Sequence, residues 1–409
     1  MIVKKYYTLS VPCKTVFKNR EEQPIFNGPL FLDKDSIIRF GPDGIVLIGG
    51  LFSSYYADKS LQDIFEKDEI LPGELDTESI NFLLKRGFLK KEKNGSPIRK
   101  YYSECTTAYY ANFEVTMKCN AHCHWCYVKD NFDVTSAEPS LETLLKRLDI
   151  LDKWGIQYLE IGGKEMLLRE DARNILKAIS DKKMKVCVLT NGSTVKDYLK
   201  DLKGKEVCIS LDGRKGVHDS IRKFPGLHDL VIEALGLFKQ EGITAYISST
   251  IDRMNIGEIP YLIDIANRFD TPLIISKVIP PSRDIDLQYE KAILDITNLK
   301  KPGVKIFADA LKRTKIEINN EAYYYGCDYG RRKITIKTNG AVIPCPYRRE
   351  IEMGHIERLS VQEFNNQVEE SRKQRLQQLQ NCKSCLDKKC GGPCYFSKTY
   401  QERLINKIR

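Results

Sequence analysis

Three cysteines, Cys119, Cys123 and Cys126, stand at a Cys-x3-Cys-x2-Cys spacing, with Trp125 just before the last. Thiolates this close can each take one iron of a cubane cluster, which leaves the fourth iron without a protein ligand and open to a small chelating molecule. A tetrahedral zinc site would need a fourth ligand, for which His122 or His124 would have to serve. A disulfide framework belongs to small secreted domains, whereas this chain has 409 residues, no secretory signal and 13 cysteines, which leaves one unpaired. Farther along, Cys327 and Cys345 precede Cys382-x2-Cys385-x4-Cys390-x3-Cys394. From spacing alone, that last group suits a structural zinc knuckle as well as iron and sulfide. Cys187 and Cys208 alternate with apolar residues and read as small core residues, while Cys13 and Cys105 take no assigned role.

The elements that must position the first motif come from the alternation of β-branched runs with amphipathic stretches between about 110 and 310. Candidate strands are 113–116, 156–161, 185–190, 207–211, 244–250 and 273–278, with helices at 141–153, 172–179, 230–241 and 256–268. Six such repeats with right-handed crossovers predict a partial (β/α)6 barrel of the α/β class, with the cysteine loop directly after the first strand. In parallel barrels chemistry gathers at the carboxyl ends of strands. Those ends read Gly162-Gly163-Lys164-Glu165, Thr190-Asn191-Gly192 and Ser210-Leu211-Asp212-Gly213. Glycine lets the main chain approach a ligand, and the polar residues can hydrogen-bond an amino acid or a ribose.

Before the barrel, residues 36–48 read as a hairpin around Gly-Pro-Asp-Gly, and helices follow near 58–65 and 76–84, each with an acidic capping residue. A charged, turn-forming stretch at 90–97 reads as a linker, which gives a first domain of residues 1–95. After the barrel, residues 334–343 form a hairpin about Asn339-Gly340, inside a cysteine-rich domain of residues 311–409.

Composition sets the class. The hydrophobic fraction of 42% is ample for globular cores, and no apolar run is long enough to span a bilayer. So many thiols favour a reducing compartment, so the expected location is the cytoplasm, with no membrane partner. The net charge of +10 is concentrated after Ser371, in Arg372, Lys373, Arg375, Lys388, Lys389, Arg403 and Arg409. Nucleic acid is one partner for such a tail; a solvated basic surface beside an anionic cluster or acidic peptide is the favoured reading.

Taken in order, these motifs resemble the radical S-adenosylmethionine (SAM) enzymes over roughly residues 113–394. The resemblance implies that Cys119, Cys123 and Cys126 hold a 4Fe-4S cluster on which SAM is reductively cleaved to a 5'-deoxyadenosyl radical. It places Trp125 and the main chain of Tyr127 against adenine, and Gly162 and Gly163 where the family has Gly-Gly-Glu-Pro for the methionine amino group. Lys164 departs from that motif's glutamate and Glu165 from its proline, so either Glu165 serves the amino group or SAM is held less well. Thr190, Asn191, Ser210, Asp212 and Arg222 complete the implied SAM contacts, with Ser210 and Arg222 at ribose or carboxylate.

The C-terminal cysteines resemble the SPASM extension, which carries auxiliary 4Fe-4S clusters. By that pattern Cys327, Cys345 and Cys394 serve the nearer of two clusters and Cys382, Cys385 and Cys390 the outer one; one complete four-cysteine site plus an idle pair is the alternative. The N-terminal part is similar to the winged-helix-like modules that recognise precursor peptides, with a DNA-binding winged helix or a structural cap as alternatives. The whole resembles peptide maturases of the thioether-forming sactipeptide and ranthipeptide type. This implies a ribosomally made precursor peptide as substrate, a leader bound by the first domain, and a reductant such as flavodoxin or ferredoxin. Carbon-carbon crosslinking, epimerisation or sulfatase-type maturation would use the same parts. A non-catalytic cluster protein and a nucleic-acid-modifying enzyme are readings of other classes.

Overall fold

Apolar residues at alternate positions make strands in the N-terminal part because one face can be buried while the other stays wet. A computed structural model describes residues 29–33, 36–41, 44–50, 53–57, 59–85, 88–93, 99–102, 108–128, 138–182, 184–278, 292, 306–308, 316–318, 321–323, 329–330 and 332–378. In it β1 (Leu30–Leu32), β2 (Ile37–Gly41), β3 (Gly44–Gly50) and β4 (Ser53–Ala57) are followed by α1 (Gln62–Phe65), β5 (Glu69–Ile70), α2 (Thr77–Lys85), β6 (Leu89–Lys90) and β7 (Arg99–Tyr102). The expected hairpin is β2–β3, and β7 joins it in parallel, so the sheet β4-β3-β2-β7 runs on past residue 95. Asp76 caps α2, accepting from the Ser79 amide at 2.8 Å and the Ser79 hydroxyl at 2.6 Å. The anticipated capping residue Asp58 lies outside the described residues. Phe65, Leu83 and Phe88 bury against Ile38, Leu47 and Ile70 to form this part's own core.

The barrel follows as β8 (Tyr110–Thr116), α3 (Leu141–Lys153), β9 (Tyr158–Gly163), α4 (Ala172–Ser180), β10 (Lys185–Thr190), α5 (Leu199–Leu202), β11 (Glu206–Ser210), α6 (Lys215–Arg222), α7 (Leu227–Glu241), β12 (Thr244–Ile251), α8 (Ile259–Phe269), β13 (Leu273–Lys277) and β14 (Ile306–Ala308). All neighbouring pairs from β8 to β14 are parallel, the arrangement of a partial α/β barrel. The six expected strands are present, and β14 adds a seventh. Ser140 caps α3 by accepting from the Thr143 amide, and Leu144, Leu148 and Leu151 line the buried face at helical spacing.

Beyond these come β15 (Ile316–Ile318), β16 (Glu321–Tyr323), β17 (Lys333–Ile336), β18 (Ala341–Ile343), β19 (Gly354–His355) and α9 (Val361–Gln378). The expected hairpin is β17–β18, turning at Gly340 with φ +90°. Strand β17 also pairs in parallel with β8, so the C-terminal segment continues the barrel's own sheet. Phe364 on α9 stacks on Trp154 at the end of α3, with centroids 4.1 Å apart.

At the amino ends of the barrel strands, Ile37 and Ile48 of the N-terminal sheet bury against Tyr110, Tyr158, Cys187 and Cys208. The Lys185 ammonium donates to the Gly49 carbonyl at 2.8 Å beside them. The N-terminal sheet therefore plugs the amino end of the barrel, and both strand cysteines are core residues as their alternation predicts.

Candidate functional site

The carboxyl end of the barrel is built from loops that hydrogen-bond to one another. Strand β8 ends at Thr116, whose carbonyl accepts from the Lys164 amide at 3.0 Å, and the Glu165 amide donates to the Lys118 carbonyl at 3.0 Å. These two bonds zip the start of the cysteine loop to the end of β9. Only glycine fits at 163, since φ is +98° and a Cβ there would collide with the Thr116 carbonyl oxygen.

Glu165 is buried, and its carboxylate accepts from the Thr190 hydroxyl (2.9 Å), the Asn191 amide (2.6 Å) and the Leu167 amide (3.3 Å). Burial outweighs those donors and pushes it up to about 7. Both oxygens thus brace the ends of β9 and β10. The Asn191 side chain passes the brace on, donating to Asn120 at 2.8 Å and reaching the Cys119 sulfur at 3.8 Å.

The loop's other flank rests on α6. The amides of His122 and His124 donate to the carbonyls of Arg222 and Ile221, each at 3.0 Å. Arg222 also sends its Nε to the buried Asp212 carboxylate at 2.6 Å and a terminal nitrogen to the Cys123 sulfur at 3.8 Å. Asp212 is held in turn by the Thr250 amide at 3.1 Å. The Asp212 amide donates to Nδ1 of His218, which burial drives down to about 4 and keeps neutral. Ser210 sits half-buried at the end of β11, in register with Ser248.

The three thiols are half-buried and form no disulfide. Burial, first of all, raises the Cys119 and Cys126 thiols, and the neighbouring thiols add to it; Lys164 and Arg222 pull Cys126 the other way. Among the described residues no group of three His, Cys, Asp or Glu side chains is gathered tightly enough to hold a single ion. A cubane asks for something different, one thiolate on each of three irons, and three half-buried thiols beside two cationic side chains fit that demand. The Trp125 indole nitrogen is buried with no hydrogen-bond partner among the described residues, at the position expected to face an adenine.

Two side chains at this site escaped the sequence reading. Glu114, pointing inward from β8, is fully buried and takes both terminal nitrogens of Arg349, at 2.6 and 2.8 Å. The Tyr127 hydroxyl lies 3.5 Å from Glu114 and 3.4 Å from the Gly163 carbonyl, and its ring meets that of Tyr347 at 5.5 Å. Polar residues at successive inward positions of β8 (Asn112, Glu114 and Thr116) are a signal that could have found Glu114; nothing local marks Arg349. Of the C-terminal cysteines, Cys345 is half-buried in the turn after β18, while Cys327, Cys382, Cys385, Cys390 and Cys394 lie outside the described residues.

Residues 113–264 match the radical SAM superfamily, and residues 327–386 match SPASM, an iron-sulfur cluster-binding domain. The antilisterial bacteriocin subtilosin biosynthesis protein AlbA of Bacillus subtilis is 25% identical over 314 residues, which span 70% of this chain and 67% of that protein. Among solved structures, Streptococcus suis SuiB bound to its precursor peptide SuiA superposes with a TM-score of 0.60 at 15% identity, covering 81% of this chain and 88% of that one. The structure of anSMEcpe with AdoMet and the Cp18Cys peptide gives 0.54 at 16% identity, over 73% and 99% of the two chains. These structural likenesses concern the fold.

Proposed function

We infer that this chain, a radical SAM enzyme with a SPASM domain that uses 4Fe-4S clusters and SAM, modifies a ribosomally made precursor peptide by joining a cysteine sulfur to carbon. The observation that carries the reading is the likeness to a bacteriocin biosynthesis protein, which extends over 70% of the chain, well beyond the barrel match. Bound at Cys119, Cys123 and Cys126, cluster and SAM together supply a radical able to take hydrogen from a carbon.

The chain's own residues do the holding. Trp125, the main chain of Tyr127, Gly162, Gly163 and Ser210 line the SAM side. Glu165, Thr190, Asn191 and the Asp212–Arg222 pair brace the cysteine loop from behind. Lys164 acts as a counter-charge beside Cys126 and replaces the motif glutamate. Cys327, Cys345 and Cys394 would take the nearer auxiliary cluster and Cys382, Cys385 and Cys390 the outer one. The first domain, residues 1–95 continued by β7, would take the leader as an added strand on an edge of its sheets. Residues 110–310 and 311–409 form the barrel and the cluster-binding domain, working in the cytoplasm with a flavodoxin- or ferredoxin-like electron donor. Among the described residues no helix is long and apolar enough to cross a membrane.

The test is anaerobic reconstitution of the full chain and of a Cys119→Ala, Cys123→Ala, Cys126→Ala variant, with iron, sulfide and SAM cleavage measured on both. Iron should fall from about twelve to about eight per chain, with cleavage abolished. Incubation with precursor peptides encoded beside the gene should give a product lighter by two hydrogens per crosslink, its cysteine blocked to alkylation. A product of unchanged mass, with a free thiol and an inverted α-carbon, would replace thioether formation by epimerisation.

A further inference from the structure

The segment from Cys345 to Arg349 is a compact turn. The Arg348 amide donates to the Cys345 carbonyl at 3.0 Å, the Ile351 amide to the Arg348 carbonyl at 3.2 Å, and the Met353 amide to Val342 at 2.7 Å. Within four residues of Cys345 this turn touches the SAM site twice, through the Tyr347 ring on Tyr127 and through the Arg349 fork on Glu114. Glu114 lies two residues before Thr116, whose carbonyl holds Lys164, and Tyr127 directly follows Cys126 and reaches the Gly163 carbonyl. A shift of Cys345 therefore cannot leave the cysteine loop and the Gly162-Gly163 turn where they are.

The chemistry of the contact makes it stiff. A guanidinium whose two terminal nitrogens meet both oxygens of one carboxylate fixes distance and plane together. With Glu114 and Arg349 only 0% and 7% exposed, neither can exchange its partner for water. A staple serving stability alone could sit anywhere along the β8–β17 ladder; this one joins the turn that carries Cys345 to the strand that leads directly into the cysteine loop.

We propose that Arg349 is a positioning residue that couples the two cysteine sites, so that iron held at Cys345 tightens SAM binding at the barrel. The inference rests on the reading of Cys345 as an auxiliary-cluster ligand. Differential contact of one site with two states of another is what a coupling free energy requires, and a double-mutant cycle isolates it.

The test compares the reconstituted full chain with Cys345→Ala, Arg349→Lys and the double variant, reading iron content, the Kd for SAM and the electron paramagnetic resonance of the reduced SAM cluster. Arg349→Lys should keep its iron, weaken SAM binding by about tenfold and alter the SAM-induced change in the spectrum. Cys345→Ala should lose iron and weaken SAM binding to a similar degree, and the double variant should bind SAM no worse than about twofold below Arg349→Lys. If Arg349→Lys does not fold, Tyr347→Ala, at an exposed side chain, takes its place with the same expected non-additivity. Effects that multiply independently, or a Kd that Arg349→Lys leaves unchanged, would overturn the coupling while the iron loss in Cys345→Ala still supports the cluster assignment. Undiminished iron in Cys345→Ala would overturn that assignment, and the coupling with it.

Discussion

The two ends of the barrel differ in how far they rest on charge. At the amino end Ile37 and Ile48 add an apolar cover to Tyr110, Tyr158, Cys187 and Cys208, whose polar contacts are few: Tyr158 donates to Glu206, the Lys333 ammonium sits over the Tyr110 ring, and Lys185 donates to a carbonyl. At the carboxyl end the buried Glu114, Glu165, Asp212 and Arg349, with the partly buried Arg222, form a polar frame around the cysteine loop. Apolar contact is non-directional and accepts many arrangements of similar area. Charged and hydrogen-bonded contact accepts few, because any displaced group is left buried without its partner. The end that must hold a cluster and a chelating ligand in one geometry is thus the end built from groups that tolerate only one.

The sharpest way to break this contrast is Arg222→Met. It leaves Asp212 without its guanidinium and should cost about 3–5 kcal/mol in urea unfolding of the cluster-free chain, while also weakening iron retention at the cysteine loop. Ile48→Ala at the other end should cost about 2–4 kcal/mol in the same measurement. Its folded fraction should bind SAM as the wild type does; a weakened Kd would mean that the amino end also specifies the site.

A pH series separates a third contribution. His218 titrates near 4 in the folded chain against an ordinary value of 6.5, so below 6.5 the unfolded chain gains a proton that the folded one refuses. Stability should fall as pH drops from about 6.5 to 4, by on the order of 2–3 kcal/mol from this group, and His218→Gln should flatten that part of the unfolding curve. The smallest effect is expected at an exposed helix cap on the rim of the carboxyl end. Ser140→Ala removes the α3 cap and should cost about 1 kcal/mol with SAM affinity unchanged.

Much of this was legible locally. Strands β8 to β13 announce themselves by β-branched runs ending in turn residues, and the glycine pair by its place at the end of β9. What escaped depends on distance along the chain. Strand β14 is only three residues long and its neighbours carry no strand pattern. Arg349 meets Glu114 across 235 positions, and no window of sequence contains both. Glu165 at the SAM amino group was one of two alternatives read from the motif; that its carboxylate accepts from Thr190 and Asn191 follows from β9 and β10 lying side by side. The cysteine spacing was readable because all three thiols come from one loop, whereas the grip of α6 on that loop required the fold.

The parallel pairing of β17 with β8 bears on how the chain is made. The β8 edge that β17 covers is complete only once residue 336 has left the ribosome, some 220 residues after β8 ends. At about 5–20 residues per second, that edge stands open for roughly ten seconds or longer during synthesis. An unpaired strand edge beside three thiols is a template for pairing with another chain, so nascent protein should be most prone to aggregation within that interval. Slowing translation before β17 should lower the soluble yield more than slowing it after α9.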